Sequence, residues 1–279
     1  RFRFAPSPNG LLHLGHAYSA IYAHDFAREK GGRFQLRIED IDGPRSRPEM
    51  ADEFRRELAW LGLEWEEVPA QSTRLTTYDA AARNLLDRGL LYPCTCTRGD
   101  IKSAMGAPQE GVPQYGPDGL IYPGTCRDAP RPSSRPQDMT LRLDMARAVS
   151  EIERLTYAET RGGATETKIS VDARTLPDTV GDCILARADM GTSYHLSVVV
   201  DDAAQKITDV VRGRDLEDAT AIHVLLQTLL GLPTPIYHHH KLIRDEAGKR
   251  LAKRDDARAL SKYRADGLTP MDIRAMLSA

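Results

Sequence analysis

At 279 residues, with 41% hydrophobic and 28% charged residues, the chain has room for one large soluble domain, or one carrying a sizeable insertion. Its 38 basic and 40 acidic residues leave a net charge of −2, which excludes a binder that grips nucleic acid by bulk phosphate neutralisation; any RNA contact must rest on a local basic patch and on shape. Four cysteines suit a reducing compartment and a metal better than a disulfide framework, no signal peptide is expected, and Gln227, Gly231, Pro233 and Pro235 break the one long uncharged stretch, 219–240, so it is not a membrane span.

Phe2 and Phe4 read as a short buried strand ended by Pro6 and Pro8, and Asn9-Gly10 makes a turn. From His13 onward the pattern is helical, with Leu14, Tyr18, Ile21 and Tyr22 on the apolar face. A strand, a glycine turn and a helix start form a device for holding phosphate, because free N–H groups and the positive end of the helix dipole meet there. His13 and His16 are three apart and face one side of that first turn, while Gly15 lets a base or ribose approach the backbone.

Phe34 to Glu39 alternates like a strand buried on one face. Ser46-Arg-Pro-Glu49 has the capping-box pattern, ahead of a helix with Met50, Phe54, Leu58 and Leu61. Leu75, Tyr78, Ala82, Leu85 and Leu86 mark another helix, stopped by Gly89. This alternation predicts an α/β fold around a parallel sheet of the nucleotide-binding kind.

Residues 93–136 change to Pro, Gly and Cys with little periodicity, an excursion expected to be functional or pinned by metal. Thr140–Leu143 and Asp182–Arg187 read as strands, and Ser197–Val200 as a buried one. Asp201-Asp202 after it reads as a turn in preference to a magnesium site. Asp215 is a plausible N-cap for a helix with Leu216, Leu225, Leu226 and Leu229 on its apolar face. His238, His239 and His240 alternate across a strand and so do not make a metal cluster. Thr269-Pro270 starts a last helix with Ile273, Met276 and Leu277 buried. No internal repeat is visible.

Seven stretches in order carry a resemblance: APSPNGLLHLGH at 5–16, RIEDID at 37–42, YPCTCT at 92–97, YPGTC at 122–126, YHLSVVVDD at 194–202, VVRGRDL at 210–216 and KRLAKR at 249–254. Together they resemble the class I aminoacyl-tRNA synthetases of the glutamyl/glutaminyl kind, across nearly the whole chain. The pattern is similar to truncated paralogues that keep the catalytic region and lack the anticodon-binding one. The resemblance implies a Rossmann-like parallel sheet with an inserted zinc-bearing subdomain and no anticodon-binding domain. Residues 1–92 are then the first half of the catalytic domain, 93–180 the insertion, and 181–279 the second half with a KMSKS-like loop and a C-terminal helix.

The implied activity is ATP-dependent activation of L-glutamate and transfer of the glutamyl group to the queuosine at the wobble position of tRNA(Asp). The alternative is a catalytic fragment of an ordinary glutamyl-tRNA synthetase charging tRNA(Glu). Rivals from other classes are a small-molecule nucleotidylyltransferase and a non-catalytic tRNA-binding module. Implied partners are L-glutamate, ATP with Mg²⁺, and the anticodon loop of tRNA(Asp); a cytoplasmic monomer without a membrane partner is expected.

Residue by residue, the resemblance implies His13, His16 and Lys253 as catalytic groups. Around glutamate it implies Arg3 and Arg212 for the carboxylates, Glu39 for the ammonium, Ser7 and Tyr194 as hydroxyl donors, and Ala5 beside them. Arginine suits a carboxylate because its planar fork donates two parallel hydrogen bonds. On bare sequence, Arg3 and Glu39 could instead pair with each other at strand ends. His13, Gly15, His16, His239 and Lys253 are implied around ATP. Arg250-Leu-Ala-Lys253-Arg254 resembles the KMSKS loop, with Arg250 for the first lysine and Ala252 for the serine, so the charge is kept and a hydroxyl is lost. Cys94, Cys96, Tyr122 and Cys126 match a structural zinc site of three thiolates and a phenolate, with Tyr115 as a rival for Tyr122. Cys183 reads as a small buried residue.

Overall fold

The computed structural model describes residues 1–104, 115–161, 165–243 and 258–278. Strands β1 (Phe2–Phe4), β2 (Phe34–Leu36) and β3 (Glu66–Glu67) pair in that order, all parallel. Helix α1 (Leu14–Glu29) crosses from β1 to β2, and α2 (Pro48–Trp60) from β2 to β3. Parallel neighbours need such crossovers. The buried face of α1 includes Ala17, Ala20, Ala23 and Ala27, small residues that let the helix lie close on the sheet. Phe54 and Leu58 anchor α2, and burying each contributes roughly 1.5–3 kcal/mol.

Helix α3 (Leu75–Asp87) leads into β4 (Leu91–Cys94), then α4 (Arg98–Ala104) and a small hairpin of β5 (Tyr115–Gly116) and β6 (Gly119–Leu120). Strand β7 (Thr140–Leu143) follows, then α5 (Met145–Ala148), β8 (Arg154–Arg161), β9 (Thr167–Asp172), α6 (Leu176–Thr179) and β10 (Ile184–Ala186). β4 and β10 flank β7, both antiparallel to it. The chain continues through α7 (Tyr194–Ala204), β11 (Asp209–Gly213), α8 (Thr220–Leu230), β12 (Ile236–His240), α9 (Leu260–Ala265) and α10 (Pro270–Ser278).

β11, β12 and β8 run parallel in that order, with β9 antiparallel at the edge. The amides of Thr208 and Asp209 both donate to the Arg1 carbonyl, at 3.0 and 3.1 Å, so β11 lies beside β1 and the two parallel sheets meet there. β8, within the stretch expected to be the insertion, thus pairs with a strand of the second half. Among the described residues no helix is long and apolar enough to cross a membrane.

Several local expectations are corrected. Ser197–Val200 is not a strand but the middle of α7, whose N-cap Ser193 accepts from the Leu196 amide. A short apolar run does not distinguish a buried strand from a buried helix. Asp201 and Asp202 accordingly lie in that helix, not in a turn. Phe34 to Glu39 is buried throughout, not on one face, because both sides of a parallel strand are covered.

The Ser46 capping box does not form; α2 starts at Pro48, where the missing N–H costs nothing. Asp215 lies in a 3₁₀ turn, Arg214–Leu216, and α8 begins only at Thr220, ending at Gly231 in the left-handed conformation. In α10, Thr269 and Asp272 make the reciprocal cap, and Ile273 and Leu277 are buried four apart. Met276 falls off that face and is 44% exposed.

Candidate functional site

A cleft of about 570 Å³ opens beyond the C-terminal ends of β1 and β11, within the usual size of small-molecule sites. Arg3, Ala5 and Ser7 line it from β1 and the loop after it. His13, Gly15 and His16 come from the start of α1, Glu39 from beyond β2, Tyr194 from α7 and Arg212 from β11. The four residues Arg3, Glu39, Tyr194 and Arg212 therefore converge beside His16. Asp215, Leu216 and His240 complete the wall.

The two histidines cap their own helix. His13 is the N-cap: its Nδ1 accepts from the Gly15 amide at 3.1 Å, and His16 Nδ1 accepts from the His13 amide at 3.2 Å. The rings lie 3.8 Å apart between centroids. A side chain usually supplied by Ser or Asp is replaced by imidazole, so the groups that satisfy orphan N–H donors also stand at the positive end of the helix dipole.

Arg3 and Glu39 do not pair with each other. Arg3 holds Asp202 through two bonds of 3.1 Å, and Glu39 is held by Arg37, which also donates to Asp202 and Gln205 at 2.8 Å. Arg37 is fully buried. Although burial works against it, Arg3 and Arg37 keep the Asp202 carboxyl below the usual range. Burial pushes the Glu39 carboxyl up, opposed by Arg37 and then Arg3. Next door, Asp201 accepts from Tyr78 at 2.7 Å, Arg74 at 2.6 Å and Gln71 at 3.2 Å. Asp202 thus holds the cleft-facing Arg3 directly, and both aspartates bear on Arg37, which in turn holds Glu39. Burial also raises the Tyr194 phenol, so it remains a neutral hydroxyl.

Arg212 is fixed from three sides. Its Nε donates to His239 Nε2 at 3.2 Å, one terminal nitrogen to His223 Nδ1 at 3.0 Å and the other to Thr220 Oγ1 at 2.6 Å. Its guanidinium also lies 5.0 Å from the Tyr237 ring centroid. His239 is pushed down to about 3, chiefly by burial and then by Arg212. Neutral, it donates from Nδ1 to Glu159 at 2.5 Å. His239 therefore sits behind Arg212, and the histidine that lines the cleft is its neighbour His240, whose Nε2 meets Ser19 Oγ at 2.8 Å.

Sequence reasoning gave no role to Arg37, Thr220, His195, His223 or Glu159, and read Asp202 only as part of a turn. Arg37, His195 and Asp202 stood within the matched stretches at 37–42 and 194–202, while Thr220, His223 and Glu159 were marked only by their spacing from residues already singled out. Arg250, Ala252, Lys253 and Arg254 lie outside the described residues.

Away from the cleft, the sulfurs of Cys94, Cys96 and Cys126 lie within 4.8 Å of one another. The Tyr122 hydroxyl is 3.5 Å from Cys94 Sγ and 3.4 Å from Cys96 Sγ. Arg142 donates to Cys94 Sγ at 3.2 Å and stacks 3.9 Å from the Tyr122 ring centroid. The Tyr122 hydroxyl draws the Cys126 thiol down to about 7. These groups form a donor set able to hold a metal ion. Tyr115 does not belong to it: it is 71% exposed on the hairpin. Cys183 is buried.

A family profile described as tRNA synthetases class I (E and Q), catalytic domain, matches residues 1–278. The chain is 57% identical over 278 residues to a glutamyl-Q tRNA(Asp) synthetase of Rhodobacter capsulatus, covering 99% of this chain and 98% of the relative. A protein of the same name from Symbiobacterium thermophilum is 40% identical over 280 residues, covering 97% and 83%. Among solved structures, a glutamate tRNA ligase of Elizabethkingia meningosepticum, in complex with its amino acid, superposes with a TM-score of 0.75 at 28% identity. That match covers 99% of this chain, which spans 60% of the ligase's length.

Proposed function

The chain belongs to the class I tRNA synthetases of the E and Q type, and from that premise we propose that it activates L-glutamate with ATP and transfers the glutamyl group to the queuosine of tRNA(Asp). One observation carries the reading. Cationic, anionic and hydroxyl groups suited to glutamate line the same cleft as the imidazoles at the start of α1.

In the first step a glutamate carboxylate oxygen attacks the α-phosphorus, the bond to the β-phosphate oxygen breaks, and pyrophosphate leaves. In the second, a queuosine hydroxyl attacks the adenylate's carbonyl, the carbonyl–phosphate bond breaks, and AMP leaves. No covalent enzyme intermediate is needed, so the protein's work is alignment of two anions and stabilisation of growing charge. Arg212 and Arg3 neutralise the substrate carboxylates and Glu39 receives the ammonium, with Tyr194 and Ser7 donating hydrogen bonds. His13 and His16, with the α1 dipole, offset the phosphates, and the match to the KMSKS loop gives Lys253 the role of stabilising the leaving pyrophosphate. Mg²⁺ accompanying ATP would supply charge that offsets the triphosphate.

Cys94, Cys96, Cys126 and Tyr122 suit Zn²⁺: bonds near 2.3 Å separate tetrahedral sulfurs by about 3.7 Å, and Cys96 and Cys126 stand at 3.5 Å. The metal would pin the segment 93–180 and take no part in the chemistry. The deciding experiment mixes the protein with labelled glutamate, ATP and tRNA with or without queuosine. Label is expected only on queuosine-bearing tRNA(Asp), and charging of tRNA(Glu) would overturn the reading.

A further inference from the structure

Arg212 is tied not only to its immediate neighbours but to a buried chain of imidazoles that leaves the cleft. Its terminal nitrogen donates to His223 Nδ1 at 3.0 Å, His223 Nε2 lies 3.0 Å from His195 Nδ1, and His195 Nε2 lies 2.7 Å from Asp118 Oδ1. The direction of every bond follows from the first. A guanidinium only donates, so His223 Nδ1 is an acceptor and His223 carries its proton on Nε2. That proton goes to His195 Nδ1, which leaves the His195 proton on Nε2, facing the carboxylate. One consistent tautomer set thus runs from the cleft to Asp118, on the β5–β6 hairpin of the cysteine-bearing segment.

His195 and His223 are 6% and 2% exposed, and Tyr194 packs against both rings, with centroids 5.4 and 5.6 Å away. Burial and the adjacent Arg212 hold His223 well below its ordinary pKa, which keeps it the neutral acceptor the geometry requires.

Resting on the glutamate reading above, we infer that His223 and His195 are positioning residues that orient Arg212, and that Asp118 ties this orientation to the docking of the hairpin. Arginine has rotamer freedom to lose, and a fork that must meet a carboxylate in two places gains from being held beforehand. Three of the five guanidinium N–H groups are engaged by His239, His223 and Thr220. One on each terminal nitrogen is left for substrate. Because His239 and Thr220 also hold Arg212, losing the His223 arm weakens glutamate binding without abolishing it.

The test is glutamate-dependent ATP–pyrophosphate exchange by the full chain. His223→Leu is expected to raise the KM for glutamate about tenfold and to leave the KM for ATP within about twofold. His223→Gln, which can accept from Arg212 and donate to His195, restores the parent value. Asp118→Ala, at an exposed side chain that does not threaten folding, raises the glutamate KM about threefold, and adding it to His223→Leu causes no further loss. An unchanged glutamate KM in Asp118→Ala, or full additivity in the double variant, overturns the inference. Arg212→Ala in the same assay separates the two levels: exchange that survives it sinks the glutamate pocket itself. Exchange lost with Arg212 but indifferent to Asp118 and His223 sinks the relay alone.

Discussion

Arg37 opens the RIEDID stretch yet had no role assigned from sequence; it anchors the buried charge cluster, and Arg37→Met tests how much. Arg3, Arg37 and Arg74 face Glu39, Asp201 and Asp202 in one buried cluster, three positive charges against three negative. Methionine fills much of the vacated volume, so the cavity contribution is small. What remains is a net buried negative charge, and removing one partner of such a set costs about 3–5 kcal/mol. Against a total stability of roughly 5–15 kcal/mol that is a large share.

The loss also depends on pH. Without Arg37, Glu39 loses the strongest group opposing its desolvation, so its carboxyl, already raised by burial, rises further. An acid whose folded-state pKa is raised keeps its contribution at low pH and loses it as pH climbs through the folded value. The variant should therefore fall further below the parent at about pH 8 than at about pH 5. Urea denaturation at both pH values measures this, as a midpoint shift at constant slope. A difference under about 1 kcal/mol at both would refute the account of the cluster.

Three further outcomes are expected. Glu57 is pushed up to about 7 by burial and by Glu53 beside it, so its contribution to stability falls as pH rises between the ordinary carboxylate range and 7. Glu57→Gln should flatten the melting temperature across that window and stabilise the protein above it by on the order of 1–3 kcal/mol; an unchanged pH profile counts against this. Metal analysis of chelator-free protein should return about one zinc per chain, lost in Cys126→Ser, and finding none removes the zinc proposal. Lys253→Ala should lower kcat for adenylate formation by about a hundredfold or more with little change in the glutamate KM, as expected for a group acting on the leaving pyrophosphate in the transition state; a dominant KM effect would contradict that.

Much of the site could be read locally. The strand, turn and helix at 1–23 needed only Phe2, Phe4, Gly10 and the apolar spacing after His13, because each element is set by its own neighbours. The pairing of Arg3 with Asp202 spans 199 positions and that of Arg37 with Asp202 spans 165, so no window of sequence contains it. The α7 run failed for a related reason: Val198, Val199 and Val200 favour strand by propensity, and enclosure by core residues on all sides selects helix instead. His239 was misread because strand alternation says only that neighbours diverge, not which one meets the cleft.

The order of motifs and the chemistry of single side chains were thus determined by the sequence itself, since residue type fixes charge, donors and local backbone preference. Which carboxylate sits behind each cleft-lining arginine, and that two histidines join the cleft to a distant hairpin, were decided only by the tertiary structure. Those properties depend on desolvation and on contacts between remote strands and helices, and neither exists until the sheets close around the cleft.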